Sequence, residues 1–90
     1  MRQVILDANY MTDKKTTHEY IAKMLSFPEY YGHNLDALYD MLTDIAKPLT
    51  IIIKHSELLE AQLGSYYGTL LLDVLKDSVI ENDFLELEIL

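Results

Sequence analysis

An α/β fold, a small three-stranded parallel sheet flanked by helices, is what this 90-residue chain predicts. Three observations carry the prediction. Short runs rich in apolar and β-branched residues stand near the start, the middle and the end of the chain. Between them lie segments whose apolar positions recur at helical spacing, long enough to serve as crossovers. Pro and Gly stand where those helices must stop. Strands separated by helices pair in parallel, with helices on the faces of the sheet.

Val4-Ile5-Leu6 is a continuous apolar run closed by polar residues, which suits a strand buried on both faces. Thr16 followed by Glu19 has the spacing of a capping box, and Ile21, Met24 and Leu25 give the first helix its inner face. That helix ends at Ser26-Phe27-Pro28, because a residue before proline is pushed out of the α region. Gly32 then offers a backbone conformation that a side chain resists. Asn34 is placed to cap the next helix, whose buried stripe is Leu35, Leu38, Leu42 and Ile45.

Lys47-Pro48 breaks the chain before Leu49-Thr50-Ile51-Ile52-Ile53, the clearest strand. Ser56 can cap a short helix through Leu63, with Gly64 as its stop and Ser65 to Gly68 as a turn. Thr69 to Ile80 is too long and too poor in β-branching for a strand and predicts a buried helix. Leu85-Glu86-Leu87-Glu88-Ile89 alternates strictly, as a sheet-edge strand with one wet face does, and its acids discourage edge-to-edge association.

The length suits one domain over residues 1–90, with a single core. Fifteen acids against seven Lys and Arg leave a formal charge of −8. That argues against nucleic acid, whose binding begins with neutralising phosphates, and against anionic membrane surfaces. A basic protein is the natural partner. There is no cysteine, so disulfides, thiolate chemistry and sulfur-based metal sites are excluded. No membrane-spanning run or apolar leader is visible, so the cytoplasm is the expected location.

Asp36, Asp40 and Asp44 fall four apart on the exposed side of the second helix, with no Lys or Arg from Phe27 to Ile45. Like charges at that spacing repel, and Asp44 also opposes the helix dipole. A solvated acidic face is the plain reading. The sharper one is a site whose partner supplies the missing positive charge. Tyr30, Tyr31 and Tyr39 cluster around the row, and amphipathic rings beside charges are what interface hot spots favour. Asp73, Asp77 and Glu81 repeat the spacing on the later helix, and the two rows would border one concave surface if those helices are neighbours.

Asp36 and Asp40 as an acid/base pair would require a pocket that shifts one carboxyl, and nothing in the sequence indicates one. No nucleotide loop or nucleophile motif is present. His18, His33 and His55 share no ligand spacing. His18 and His55 are expected at the surface or in loops, and His33, beside the acidic helix start, as a contact. Neither enzyme activity nor a cofactor or metal is expected.

Pro28-Glu29-Tyr30-Tyr31-Gly32-x-Asn34-Leu35-Asp36-Ala37-Leu38-x-Asp40-x-Leu42-Thr43 resembles the signature segment of the barstar family, intracellular inhibitors of the ribonuclease barnase. Outside it the likeness is one of element order and spaced apolar positions. The resemblance implies a three-stranded parallel sheet and a helix-plus-loop that plugs a ribonuclease active site, its acids standing where substrate phosphates would. It implies Asp40 as the central carboxylate, Asp36 as a second contact, and Tyr30 as the ring that stacks at the catalytic histidine. Gly32, Asn34 and Leu35 would form loop and helix-start contacts. Tyr39 stands where barstar has Trp, Asp77 where it has Glu, His33 replaces an acid and Asp44 adds one. The expected partner is a basic, barnase-like ribonuclease, bound by a protein that is monomeric when free. The alternative is an immunity protein for another basic toxin.

Overall fold

The computed structural model describes residues 2–90. In chain order it contains β1 (Arg2–Asp7), a 3-10 turn (Ala8–Tyr10), α1 (Lys14–Leu25), α2 (Leu35–Thr43), β2 (Leu49–Lys54), α3 (Leu58–Leu63), α4 (Ser65–Glu81) and β3 (Leu85–Ile89). The three strands form one parallel sheet in the order β1-β2-β3. The fold class is the expected α/β one. The run richest in β-branched residues is the central strand, and the alternating C-terminal strand is an edge.

Val4 pairs with Ile51 and Leu6 with Ile53, while Leu49 and Ile51 face Leu85 and Leu87 on the other side. Two crossovers that step the same way across a sheet, right-handed as such connections are, lay their helices on one face. Val4, Leu6, Leu49, Ile51, Ile53 and Leu85 are buried there. On the other face Gln3, Glu86 and Glu88 are exposed, and Ile5 keeps 42% of its surface accessible. The expectation of a first strand buried on both faces is therefore corrected. An apolar run of three residues does not report how many layers will cover it.

Caps set the helix boundaries, and several differ from expectation. The α1 cap is Asp13, whose side chain accepts from the Thr16 amide at 2.8 Å, so Thr16 lies inside the helix and does not open it. A carboxylate one turn earlier serves the free amides of a helix start as well as a hydroxyl does. Ser26 closes α1 in the left-handed conformation (φ 59°), and the Phe27 amide reaches back to the Ala22 carbonyl at 2.9 Å. Ser56 is not a cap either; its hydroxyl donates to the Leu90 carbonyl at 2.7 Å.

The expected turn over Ser65 to Gly68 is already helix. Gly64, at φ 85°, makes the whole change of direction between α3 and α4. Gly68 is helical, and a Cβ there would stand 3.1 Å from the Leu59 carbonyl group. This glycine serves the close approach of α4 to α3, a use that the sequence does not distinguish from a turn.

Helices α2 and α4 pack side by side. The junction is tied by Asn82, just past α4, which is buried and donates through its side-chain amide to the carbonyls of Leu42 and Ile45, each at 2.9 Å. Its Oδ1 accepts from the Phe84 amide at 3.0 Å. These bonds tie down the last turn of α2 and the residue just past its Asp44 cap, where the helix has no basic residue of its own.

Candidate functional site

The segment between α1 and α2 is built from three adjacent residues. Asn34 caps α2, its Oδ1 accepting from the Ala37 amide at 2.7 Å and its Nδ2 donating to the Gly32 carbonyl at 3.1 Å. The left-handed residue is His33 (φ 52°), not Gly32. Histidine is among the residues that tolerate this region best without being glycine. At Gly32 space is tight instead: a Cβ would lie 3.2 Å from Asn34 Nδ2 and 3.3 Å from the Ala37 Cβ, so those side chains would have to give by a few tenths of an ångström. The backbone role expected of Gly32 is therefore corrected: the positive φ falls one residue later, at His33.

Tyr30 and Tyr31 are consecutive and go opposite ways. Tyr30 is 82% exposed and Tyr31 only 4%. Tyr31 packs against Phe27, with ring centres 5.0 Å apart, and meets the His33 ring edge-on at 5.2 Å. Its hydroxyl lies 2.6 Å from Nδ1 of His18, whose Nε2 lies 2.6 Å from the Tyr67 hydroxyl. His18 is 1% exposed, so its expected surface position is corrected. Position 18 lies on the inner face of α1, three residues before Ile21, and two hydroxyls satisfy both ring nitrogens there. Burial, with a smaller contribution from His33, lowers the pKa of the imidazole, and burial raises those of both phenols.

Tyr30, Tyr31 and Gly32 form one wall of a recess of about 230 Å³ whose other wall is the Ala37–Asp40–Met41–Asp44 face of α2. Beside it, where α2 meets α4, a second recess of about 280 Å³ is lined by Tyr39, Asp77, Ile80 and Glu81. Tyr39 and Asp40, neighbours in the chain, stand one in each. Helices α2 and α4 are neighbours, but the expectation that their acidic rows border one surface is corrected: Asp40 and Asp44 line the first recess and Asp77 and Glu81 the second. Tyr39 stands close to both rows, since its phenol is raised by partial desolvation and then by the charges of Glu81, Asp77 and Asp40.

Of the sequence-predicted residues, Tyr30, Gly32, Asp40 and Asp44 meet at the first recess, and Tyr39 and Asp77 at the second. His33, Asn34 and Leu35 shape the approach without lining either, and Asp36 is exposed in the first turn of α2. Ala37, Met41 and Ile80 are lining residues that the sequence does not single out as contacts, while Tyr31, read there as one of three interface tyrosines, is largely buried. The signal for Ala37 and Met41 was available: with Asp40 and Asp44 they follow three-and-four spacing on one face. Asp36, Asp40 and Asp44 form no ion pair among the described residues. His55, half exposed, does meet a carboxylate, with Nδ1 3.1 Å from Oδ1 of Asp7.

Among the described residues no group of three or more His, Asp or Glu is disposed to hold a metal ion, and no helix is long and apolar enough to cross a membrane. The site therefore presents carboxylates and an exposed tyrosine ring to whatever approaches. The family described as Barstar (barnase inhibitor) matches residues 1–88. A Bacillus subtilis (strain 168) protein named "Putative ribonuclease inhibitor YrdF" is 42% identical over 67 residues, which span 73% of this chain and 74% of that protein. With the match running almost end to end, and with a relative this similar over most of both chains, the chain belongs to the barstar family.

Proposed function

We propose that this single-domain protein is an inhibitor of a barnase-type (microbial, guanyl-specific) ribonuclease, and not itself an enzyme. It blocks the active site with α2 and the preceding loop, whose carboxylates take the place of substrate phosphates. The observation that carries the reading is the first recess, where Tyr30, Asp40 and Asp44 converge and neither carboxylate forms an ion pair among the described residues. Family membership and the name of the Bacillus relative support ribonuclease inhibition in general.

Asp40, in mid-helix and lining the first recess, is the central carboxylate and meets the enzyme's Arg, Lys and His groups. Asp36 adds a contact at the mouth, and Tyr30 stacks on the catalytic histidine. Gly32, His33, Asn34 and Leu35 present the loop and helix start, while Tyr39, Asp44 and Asp77 complete the edge. The charge of −8 draws a basic partner in, and burial of hydrogen-bonded charge pairs then slows its departure. Acting in the cytoplasm as a monomer, the protein protects the cell from a nuclease.

The test is inhibition of a barnase-type ribonuclease by the purified protein at low and at moderate salt, beside Asp40→Ala. Stoichiometric inhibition that weakens with salt and is largely lost in the variant is expected. Absence of inhibition and of any complex at low salt overturns the reading. A second reading, immunity to a different basic toxin, is favoured by one observation: the second recess is built on Tyr39 and Asp77, two of the positions where this chain departs from barstar.

A further inference from the structure

His18 touches neither recess, yet it is joined to one of them through a single side chain. Its ring is buried between two tyrosine hydroxyls, one from the loop (Tyr31) and one from the first turns of α4 (Tyr67), each 2.6 Å away. From these contacts we infer that His18 is a positioning residue for partner binding: it pins the loop to α4, so that Tyr31 turns inward and Tyr30 is held outward at the recess. The inference rests on the inhibitor reading of that recess.

The arrangement is directional. A neutral imidazole has one donor and one acceptor nitrogen, so one tyrosine hydroxyl accepts from the ring and the other donates to it. Neither tyrosine is replaceable by the other's bond, and losing either leaves a buried nitrogen without a partner. The charged and titratable groups facing the ring are Tyr31 and His33 from the loop and Tyr67 from α4, with Lys14 of α1 lying 4.6 Å over the Tyr67 ring. The loop's own backbone ties are few. The Tyr31 amide donates to the Pro28 carbonyl at 3.0 Å, and Asn34 Nδ2 holds the Gly32 carbonyl. Loosening the tyrosine therefore frees the residue next to Tyr30 while the sheet and α2 stay in place.

Tyr67→Phe is the decisive variant because Tyr67 lines neither recess. Two measurements are made on it: hydrogen exchange of the free protein, resolved by residue, and association and dissociation rates with a barnase-type ribonuclease. Loss of one hydrogen bond predicts dissociation about fivefold faster at unchanged association, and exchange of the Tyr31 amide faster by a similar factor, with the strand amides of Ile51 and Ile53 unmoved. His18→Leu, which removes both bonds, shows a larger effect of the same kind, and His18→Gln, with an amide donor and acceptor, recovers part of it. Unchanged dissociation and Tyr31 exchange in Tyr67→Phe overturn the inference. So does exchange that rises equally in loop and strands, which marks a purely structural role. If the wild-type protein does not bind the ribonuclease, the inhibitor reading fails by itself, and Tyr31 exchange still decides whether His18 holds the loop.

Discussion

Helices α1 and α2 solve the same folding problem and differ in one respect. Each opens on a side-chain cap, Asp13 to the Thr16 amide at 2.8 Å and Asn34 to the Ala37 amide at 2.7 Å. Each buries an apolar stripe, with Ile21 and Leu25 in one and Leu38 and Leu42 in the other. On the exposed side α1 carries Lys15, Glu19 and Lys23, four apart and alternating in sign, as a helix stabilising itself would. The same spacing in α2 holds Asp36, Asp40 and Asp44, all of one sign. Folding accounts for the first arrangement and is opposed by the second. On the inhibitor reading proposed above, that difference assigns support to α1 and the partner to α2.

The comparison breaks first, and most visibly, at Asp40. Asp40→Ala is expected to weaken ribonuclease binding by about 2–5 kcal/mol, a range that itself rests on the barnase–barstar pair. Lys15→Ala, at a matching place on α1, should change it by less than about 0.5 kcal/mol. Titration of both variants against one enzyme decides; equal losses would dissolve the contrast between the helices.

The next effect belongs to α1. Burial holds the His18 imidazole below its ordinary value of 6.5, so the native state favours the neutral ring. A group whose folded pKa is depressed contributes stability that is fully present above its unfolded pKa and is lost as pH falls through the folded one. Urea unfolding between pH 7 and pH 5 should therefore show stability declining with acid. The His18→Leu variant, less stable at pH 7, should lose much of that slope. An identical slope in both proteins would mean that other groups carry it.

Two smaller expectations sharpen the contrast from the side of α2. Asn34→Ala removes the cap and should lower stability by about 1 kcal/mol in denaturant unfolding. Asp44→Asn should raise it, by a few tenths of a kcal/mol, because it relieves repulsion from Asp40 and an anion at the wrong end of the helix dipole. The same change is expected to weaken ribonuclease binding. A variant both less stable and equally inhibitory would show that Asp44 serves the fold.

Much of this was legible beforehand because it depends on local chemistry. The strand runs, the proline break at Pro48, the Asn34 cap and the α2 stripe each follow from a few neighbouring residues, and so did the order of elements. Four of the expected contacts reached one recess because Tyr30 and Gly32 directly precede the helix that bears Asp40 and Asp44. Helical period alone brings the last two to the same face.

What tertiary structure decided has one physical reason: burial and polar pairing depend on residues distant in sequence. His18 reads as a polar residue among polar neighbours until Tyr31, thirteen residues away, and Tyr67, forty-nine away, close over it. Ile5 reads as core until the two crossovers leave its face of the sheet without a layer. Gly68 reads as a turn until the α3 backbone arrives within 3.1 Å of where its Cβ would be. Asn82 reads as a loop residue until it is found holding the end of α2 from forty residues away. By itself the sequence determined the elements, their order and the acidic face of α2, which local spacing encodes. The packing of α2 on α4 brought Asp77 beside Tyr39, and only the folded chain could bring that about.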